Sequence, residues 1–173
     1  MDRVPGRRSV DEMRWLGDEL GRSALGFEWA IRKVPSERLT VPPPTGLGEW
    51  PALRHLHHLV WYEREFALPS MRIWLGAAPH DGDALDEDAD WAADQPTLEV
   101  AALLRSLVAG RDEQRAILTG LDAAAWTTAR TTGWDDVPLR WVVSKTYQHT
   151  AEHTNVVLRI ALFWDAFVKD APG

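Results

Sequence analysis

Residues 139–168 read LRWVVSKTYQHTAEHTNVVLRIALFWDAFV. If this run is helical, with a rotation of 100° per residue, most of its core-forming side chains fall within one narrow arc. The members of this arc are Val142, Thr146, His149, His153, Val156, Ile160, Trp164 and Phe167. The pattern predicts a long amphipathic helix over about 139–168, with His149 and His153 at the centre of the face that packs into the core.

Upstream, the N-terminal third of the chain predicts another long helix. Ser9 and Glu12 form a capping-box pattern, and apolar residues then recur at steps of three and four, which predicts a helix over about 9–34. Residues 35–48 are rich in proline and glycine and predict a stiff, non-helical crossover.

Two further helices are predicted between this crossover and the last helix. One starts near Pro51 and breaks or kinks at Pro69, and the other is capped by Thr97 and ends at Gly120. Residues 121–138 are predicted to form a loop with at most one short helical turn, because no alternating strand pattern is evident. The expected fold is all-α, a four-helix bundle with long crossover connections.

The composition predicts a single domain over residues 1–173 that has no cysteine thiol to use in binding or catalysis. The chain has 173 residues, 45% of them hydrophobic, which suits one core, and it has no cysteine, which excludes disulfides, thiolate metal sites and a cysteine nucleophile. Any metal ion must therefore be bound by nitrogen and oxygen ligands.

The net charge of −7 argues against nucleic acid and membrane surfaces as partners. The whole net negative charge can be assigned to residues 81–94, which contain seven acidic residues and no lysine or arginine. We therefore predict a solvated acidic loop over about 79–96.

No apolar run is long enough to cross a bilayer, so we expect a cytoplasmic protein. Because long bundles often pair as two-fold dimers, a homodimer is also expected.

His149 and His153 allow two interpretations. They are either core histidines hydrogen-bonded to neighbours such as Glu152 or Gln148, or two ligands of one metal ion, since side chains at i and i+4 converge on the same point. The metal site would need a third ligand from another helix. The second helix offers His55, His57 and His58, and periodicity favours His55 slightly without deciding among them.

Residues 50–59 read WPALRHLHHL, with Glu63 five residues after His58. This segment resembles the W-S-x-x-x-h-h-x-H-L pattern at the start of helix 2 in the DinB/YfiT-like superfamily, and the His149–His153 pair resembles the closing H-x-x-x-H of that superfamily. The order of elements matches along nearly the whole chain. The resemblance implies a metal-binding four-helix bundle in which His58, His149 and His153 bind one divalent metal ion.

Such a site has open coordination positions, and all-nitrogen ligation suits Zn, Ni, Fe or Cu without choosing among them. We expect Zn or Ni, with Fe or Mn as alternatives. The resemblance implies a metal-dependent transferase, isomerase or hydrolase that activates water or a low-molecular-weight thiol, such as mycothiol or bacillithiol, towards a small organic substrate. A non-catalytic, stress-related metal- or ligand-binding protein is the alternative. A third reading is a bundle without metal that acts by dimerisation.

Tyr62 and Glu63 are the predicted catalytic residues. Tyr62 lies one turn from His58 and either donates a proton to a metal-bound ligand or packs at the bundle edge. Glu63 either orients an imidazole or accepts a hydrogen bond from an indole N–H. Lys145 either holds an anionic group of the substrate or extends to solvent. Trp61 and Trp141 are predicted pocket walls.

Overall fold

A computed structural model describes residues 5–79 and 85–169 of the chain. Its helices are α1 (Pro5–Ile31), α2 (Ala52–Tyr62), α3 (Leu68–Arg72), α4 (Glu87–Asp94), α5 (Val100–Gly120), α6 (Ala123–Thr127) and α7 (Leu139–Lys169). Strands β1 (Ala129–Thr131) and β2 (Asp136–Pro138) form a small antiparallel hairpin. The predominance of helix confirms the all-α class.

The long helices contact one another around a shared interior. Helix α1 packs against α5 and α7, and α2 packs against the same two helices. Two large apolar clusters fill most of the interior, and a smaller one contains Trp61, Tyr62 and Ala67. One large cluster contains Phe27, Leu56, Leu107 and Ile160, and the other contains Leu20, Met71, Leu118 and Val143. Each of these side chains is almost completely removed from water, which is the main source of stability in a fold of this size.

A buried polar layer lies between the two large apolar clusters. It consists of Glu63, Arg111, Gln114, Thr146 and Thr150, none of which is more than 3% exposed. Along α5 and α7 these residues lie in sequence between members of the two clusters. Buried polar groups need hydrogen-bond partners, so this layer constrains how the helices can pack.

The first helix is longer at its N-terminus than predicted. It begins at Pro5, so Ser9 lies inside the helix and the prediction that the capping box starts it is wrong. Proline is favoured in the first turn because its missing N–H has no intrahelical partner there. The helix ends at Ile31, close to the predicted end.

The predicted interruption at Pro69 takes the form of a π-helical turn over Glu63–Ala67. The Leu68 N–H donates to the Glu63 carbonyl five residues back, and this wider turn precedes the proline ring. The chain stays helical through Leu75, so α2 and α3 act as one long element.

The prediction of a loop over about 79–96 is wrong for its second half, whereas residues 80–84 lie outside the described residues. Asp86 caps α4 by accepting a hydrogen bond from the Ala89 N–H at 3.0 Å. Acidic residues in a first helical turn are favoured by the helix dipole. Thr97 lies in the following 3-10 turn and does not cap α5, whose N-cap is Glu99.

Residues 121–138 are also more ordered than predicted. They contain α6 and the β1–β2 hairpin, in which Arg130 pairs with Val137. Strands of three residues are too short to show an alternating pattern, which is why the sequence did not predict them. Among the described residues, no helix combines the length and the apolar character needed to span a membrane.

Candidate metal centre

Three imidazoles meet where α2 packs against α7. His58 comes from α2, whereas His149 and His153 lie one turn apart on α7. The His149 Nε2 atom is 2.9 Å from His58 Nε2 and 3.2 Å from His153 Nε2. One ligand atom from each of the three residues lies within 4.8 Å of the other two, so the three could hold a metal ion.

The observed nitrogen separations fit a shared metal ion. Two nitrogens bound to one ion at about 2.0–2.1 Å, with angles of about 90–110°, lie about 2.8–3.4 Å apart. Both measured Nε2 distances fall in this range. Three neutral imidazoles are also a donor set that Zn, Ni and similar divalent ions accept.

The protonation state of the cluster also suits metal binding. Burial, together with repulsion from neighbouring imidazoles, lowers the pKa of His149 to about 3 and that of His153 to about 2. Both rings are therefore neutral near pH 7 and have a lone pair available for a ligand bond.

Two of the three rings have partners for their outer nitrogens. His58 Nδ1 lies 2.7 Å from a carboxylate oxygen of Glu87, and His153 Nδ1 lies 2.7 Å from His55 Nδ1. The buried Nδ1 of His149 has no hydrogen-bond partner. Sequence reasoning missed Glu87, because a carboxylate in an acidic run has no feature that distinguishes it from solvated neighbours.

His55 and His57 lie outside the cluster of three. His55 packs behind His153, and burial lowers its pKa to about 4. His57 faces α4, with Nε2 3.3 Å from Asp94 and its ring against Trp91. The periodicity argument that favoured His55 therefore selected a neighbour of the cluster, and the residue indicated by the family resemblance lies within it.

Trp50 contacts the histidine cluster through its ring. Its ring stacks with His153 at a centroid distance of 6.2 Å and meets His58 edge-on at 5.2 Å. The guanidinium of Arg54 lies over the Trp50 ring, 4.2 Å from its centroid. Trp50 thus joins the crossover to the cluster.

Tyr62 is directly beside the cluster, with its ring centroid 4.2 Å from that of His149. Burial raises the pKa of Tyr62 to about 12. Among the described residues, its buried hydroxyl oxygen has no hydrogen-bond partner. The phenol therefore stays protonated near pH 7 and retains a proton to donate.

Glu63 points away from the histidines into the buried polar layer. Its Oε1 lies 2.7 Å from Arg111 Nη1, and its Oε2 accepts a hydrogen bond from Gln114. Arg111 also donates to Thr150 Oγ1 at 2.5 Å. The hydrogen bonds described for Glu63 thus involve neither an imidazole nor an indole. Burial raises its pKa to about 7, and the positive charge of Arg111 limits the rise.

An aromatic group continues outward from Tyr62. The Trp134 ring, between β1 and β2, lies 6.2 Å from Tyr62 and 5.3 Å from Trp141. Trp61 is buried and donates its indole N–H to Asp90 at 2.9 Å. Lys145 is half-buried on α7, and its charge contributes to the lowered pKa of His149.

A protein-family model matches most of the chain. The family model of the DinB superfamily matches residues 21–157, which include α2, α5 and all three clustered histidines. Neither the search of curated proteins nor the search of solved structures found a match. The match extends over well more than half of the chain, and the chain therefore belongs to the DinB superfamily.

Proposed function

We propose that this protein is a metal-dependent enzyme that binds one divalent ion through His58, His149 and His153. We further propose that it promotes the transfer of a low-molecular-weight thiol, or of water, to a small organic substrate. The observation that carries the proposal is the convergence of three imidazoles, in which His149 Nε2 lies 2.9 Å from His58 Nε2 and 3.2 Å from His153 Nε2. Zn and Ni are the preferred ions for this donor set, with Fe or Mn as alternatives.

An ion held by three imidazoles would supply a Lewis acid that lowers the pKa of a thiol or water. The remaining roles fall to this chain's own side chains. Tyr62, protonated and adjacent to His149, is proposed as the proton donor to the substrate. Trp134 and Trp141 would contribute apolar surface against which an organic substrate packs.

The thiol in this proposal must come from solution, because the chain has no cysteine. Mycothiol and bacillithiol are the proposed co-substrates, on the strength of the family membership. Glu63 is retained as a candidate catalytic residue from the sequence, but its contacts with Arg111 and Gln114 support a structural role better.

We also infer that the fold is the four-helix bundle of DinB type. Support comes from the pairwise packing of α1, α5, α7 and the continuous α2–α3 element, with the histidines contributed by α2 and α7. The long connections of this bundle are the crossover before α2 and the segment that contains α4.

Metal binding is tested with untagged protein loaded with Zn or Ni and titrated against a chromophoric chelator. We expect one equivalent of metal, and His58→Ala should lower the affinity by more than about 100-fold because a ligand is lost. His57→Ala is the matched control, since it removes an adjacent buried imidazole that contacts Asp94, and it should bind metal like the wild-type protein. Equal losses in both variants, or a loss in His55→Ala alone, would refute the assignment of His58.

The catalytic part is tested by following thiol consumption with 1-chloro-2,4-dinitrobenzene as electrophile. We expect turnover of mycothiol or bacillithiol that requires the metal and falls strongly in Tyr62→Phe. If the loaded protein consumes none of a panel of bacterial thiols and hydrolyses no ester substrate, the enzyme proposal fails. Full metal occupancy under those conditions would instead support the alternative, a non-catalytic metal-binding protein.

A further inference from the structure

The acidic helix α4 lies along α2 and contacts it through carboxylates. Glu87 meets His58, Asp88 meets Arg54, Asp90 accepts from Trp61 Nε1 at 2.9 Å, and Asp94 meets His57 at 3.3 Å. Much of the local negative charge is therefore turned towards the histidine- and arginine-containing face of α2. This arrangement gives the acidic segment a specific contact with the histidine cluster.

Glu87 differs from the other acidic residues of this contact in its burial. Its side chain is 17% exposed and that of His58 is 15% exposed. The side chains of Asp88, Asp90 and Asp94 are 82%, 48% and 52% exposed. A hydrogen bond shielded from water is stronger than an exposed one, so the Glu87 contact has the greatest influence on its partner.

The chemistry of this contact determines where the His58 proton lies. A carboxylate accepts hydrogen bonds and has no proton to donate, so at 2.7 Å the proton is on His58 Nδ1. The lone pair is then on Nε2, the atom that faces His149 Nε2 at 2.9 Å. Without this partner, an imidazole can place its proton on either nitrogen.

We propose that Glu87 is a positioning residue for the metal centre, which fixes the tautomer and orientation of His58 so that Nε2 is the ligand atom. This inference rests on the proposed metal-binding function. Within the described part of the chain, Glu87 provides the only carboxylate hydrogen-bonded to one of the three proposed ligands. Carboxylate partners of this kind raise the basicity of a ligating imidazole and strengthen metal binding.

The proposal gives α4 a role that its composition does not indicate. Docking of α4 brings Glu87 to His58, and any ion held by His58 would in turn favour the docked position of α4. By linkage, metal binding should therefore stabilise the α4 contact as much as the contact strengthens metal binding.

The test compares Glu87→Ala, Glu87→Gln and Asp88→Ala in two measurements. One measurement is zinc affinity by chelator competition, and the other is the His58 tautomer in metal-free protein from imidazole 15N NMR shifts. Asp88→Ala is the matched control, because it removes an acidic residue from the same helical turn but one that contacts Arg54. Glu87→Gln keeps the size of the side chain and an acceptor oxygen, and guards against misfolding of the alanine variant.

We expect Glu87→Ala to weaken zinc binding about 10–100-fold and to remove the preference for the Nδ1–H tautomer. Glu87→Gln should fall between Glu87→Ala and the wild-type protein, and Asp88→Ala should match the wild-type protein. The inference is overturned if Glu87→Ala binds zinc normally, if Asp88→Ala loses as much affinity, or if wild-type His58 carries its proton on Nε2. A wild-type protein that binds no zinc but shows the Nδ1–H tautomer would instead refute the proposed function.

Discussion

Replacing Glu63 by Gln removes one charge from a completely buried ion pair without changing the volume of the side chain. The Glu63 and Arg111 side chains are 4% and 1% exposed, and their charged atoms lie 2.7 Å apart. In the variant, the Arg111 charge stays buried without a counterion, and the new amide N–H group faces the amide of Gln114, which donates to Glu63 in the wild-type protein.

The expected loss of stability is large for a single isosteric substitution. Removing one partner of a buried ion pair costs about 3–5 kcal/mol, because the remaining charge is not compensated. For a chain of this length, each kcal/mol lowers the Tm by about 2–4 °C, so we expect a decrease of about 6–20 °C. Adding Arg111→Met to the Glu63→Gln protein removes the second charge. The double variant should lose about 1–3 kcal/mol less stability than the sum of the losses of the two single variants.

The assay is urea unfolding of metal-free protein followed by circular dichroism at pH 8, above the pKa of about 7 of Glu63. Asp18→Asn is the matched control, since it breaks an Asp18–Arg115 pair at 3.1 Å whose side chains are about half exposed. The exposed Asp18–Arg115 pair should contribute less than about 1 kcal/mol to the free energy of unfolding.

If Glu63→Gln loses no more stability than the control, the buried polar layer does not depend on the ion pair and the reasoning is refuted. A Glu63→Gln protein of normal stability that loses thiol transfer would instead support the catalytic role predicted for Glu63 from the sequence.

Two further predictions concern pH and the crossover. Burial lowers the pKa of His55, His149 and His153 from the ordinary 6.5, so the unfolded chain binds more protons and metal-free protein should lose stability as the pH falls from about 6.5 towards 4. Urea midpoints that rise on acidification would contradict the burial of the three rings. Gly46→Ala should destabilise the protein by more than about 1 kcal/mol, because φ is +97° and a Cβ would lie 2.7 Å from the Phe167 ring. The matched control is Gly26→Ala in α1, where an added Cβ meets nothing within 4 Å. It should stabilise the protein by about 0.5–1 kcal/mol. Thermal melts in which Gly46→Ala is the more stable of the two variants would contradict these expectations.

The helices predicted best were those with long, regular apolar periodicity. Helix α7 begins at Leu139 as predicted, and α5 ends at Gly120 as predicted, because each buries a regular apolar stripe over most of its length. Helix α4 was missed, because it is short and acidic and buries a single tryptophan, Trp91. Its contacts with α2 are made between residues about 30 positions apart, which local patterns do not record.

The buried polar layer was also beyond sequence reasoning. The sequence suggested an imidazole or an indole N–H as the partner of Glu63, and nothing in it indicated that the partner would be Arg111 on α5. An arginine in an amphipathic helix normally extends to solvent, so its burial becomes evident only when the facing helix supplies a carboxylate.

The sequence by itself determined the helical class, the i, i+4 pair His149 and His153 on a buried face, and a resemblance to the DinB superfamily that the family comparison confirmed. Periodicity left the histidine of α2 open and the resemblance indicated His58, whereas the packed helices place His58 in the cluster and bring Glu87 to it. The physical reason is that periodicity reports which face of one helix is buried. The choice among His55, His57 and His58, and the approach of Glu87, depend on how α2, α4 and α7 are placed against one another.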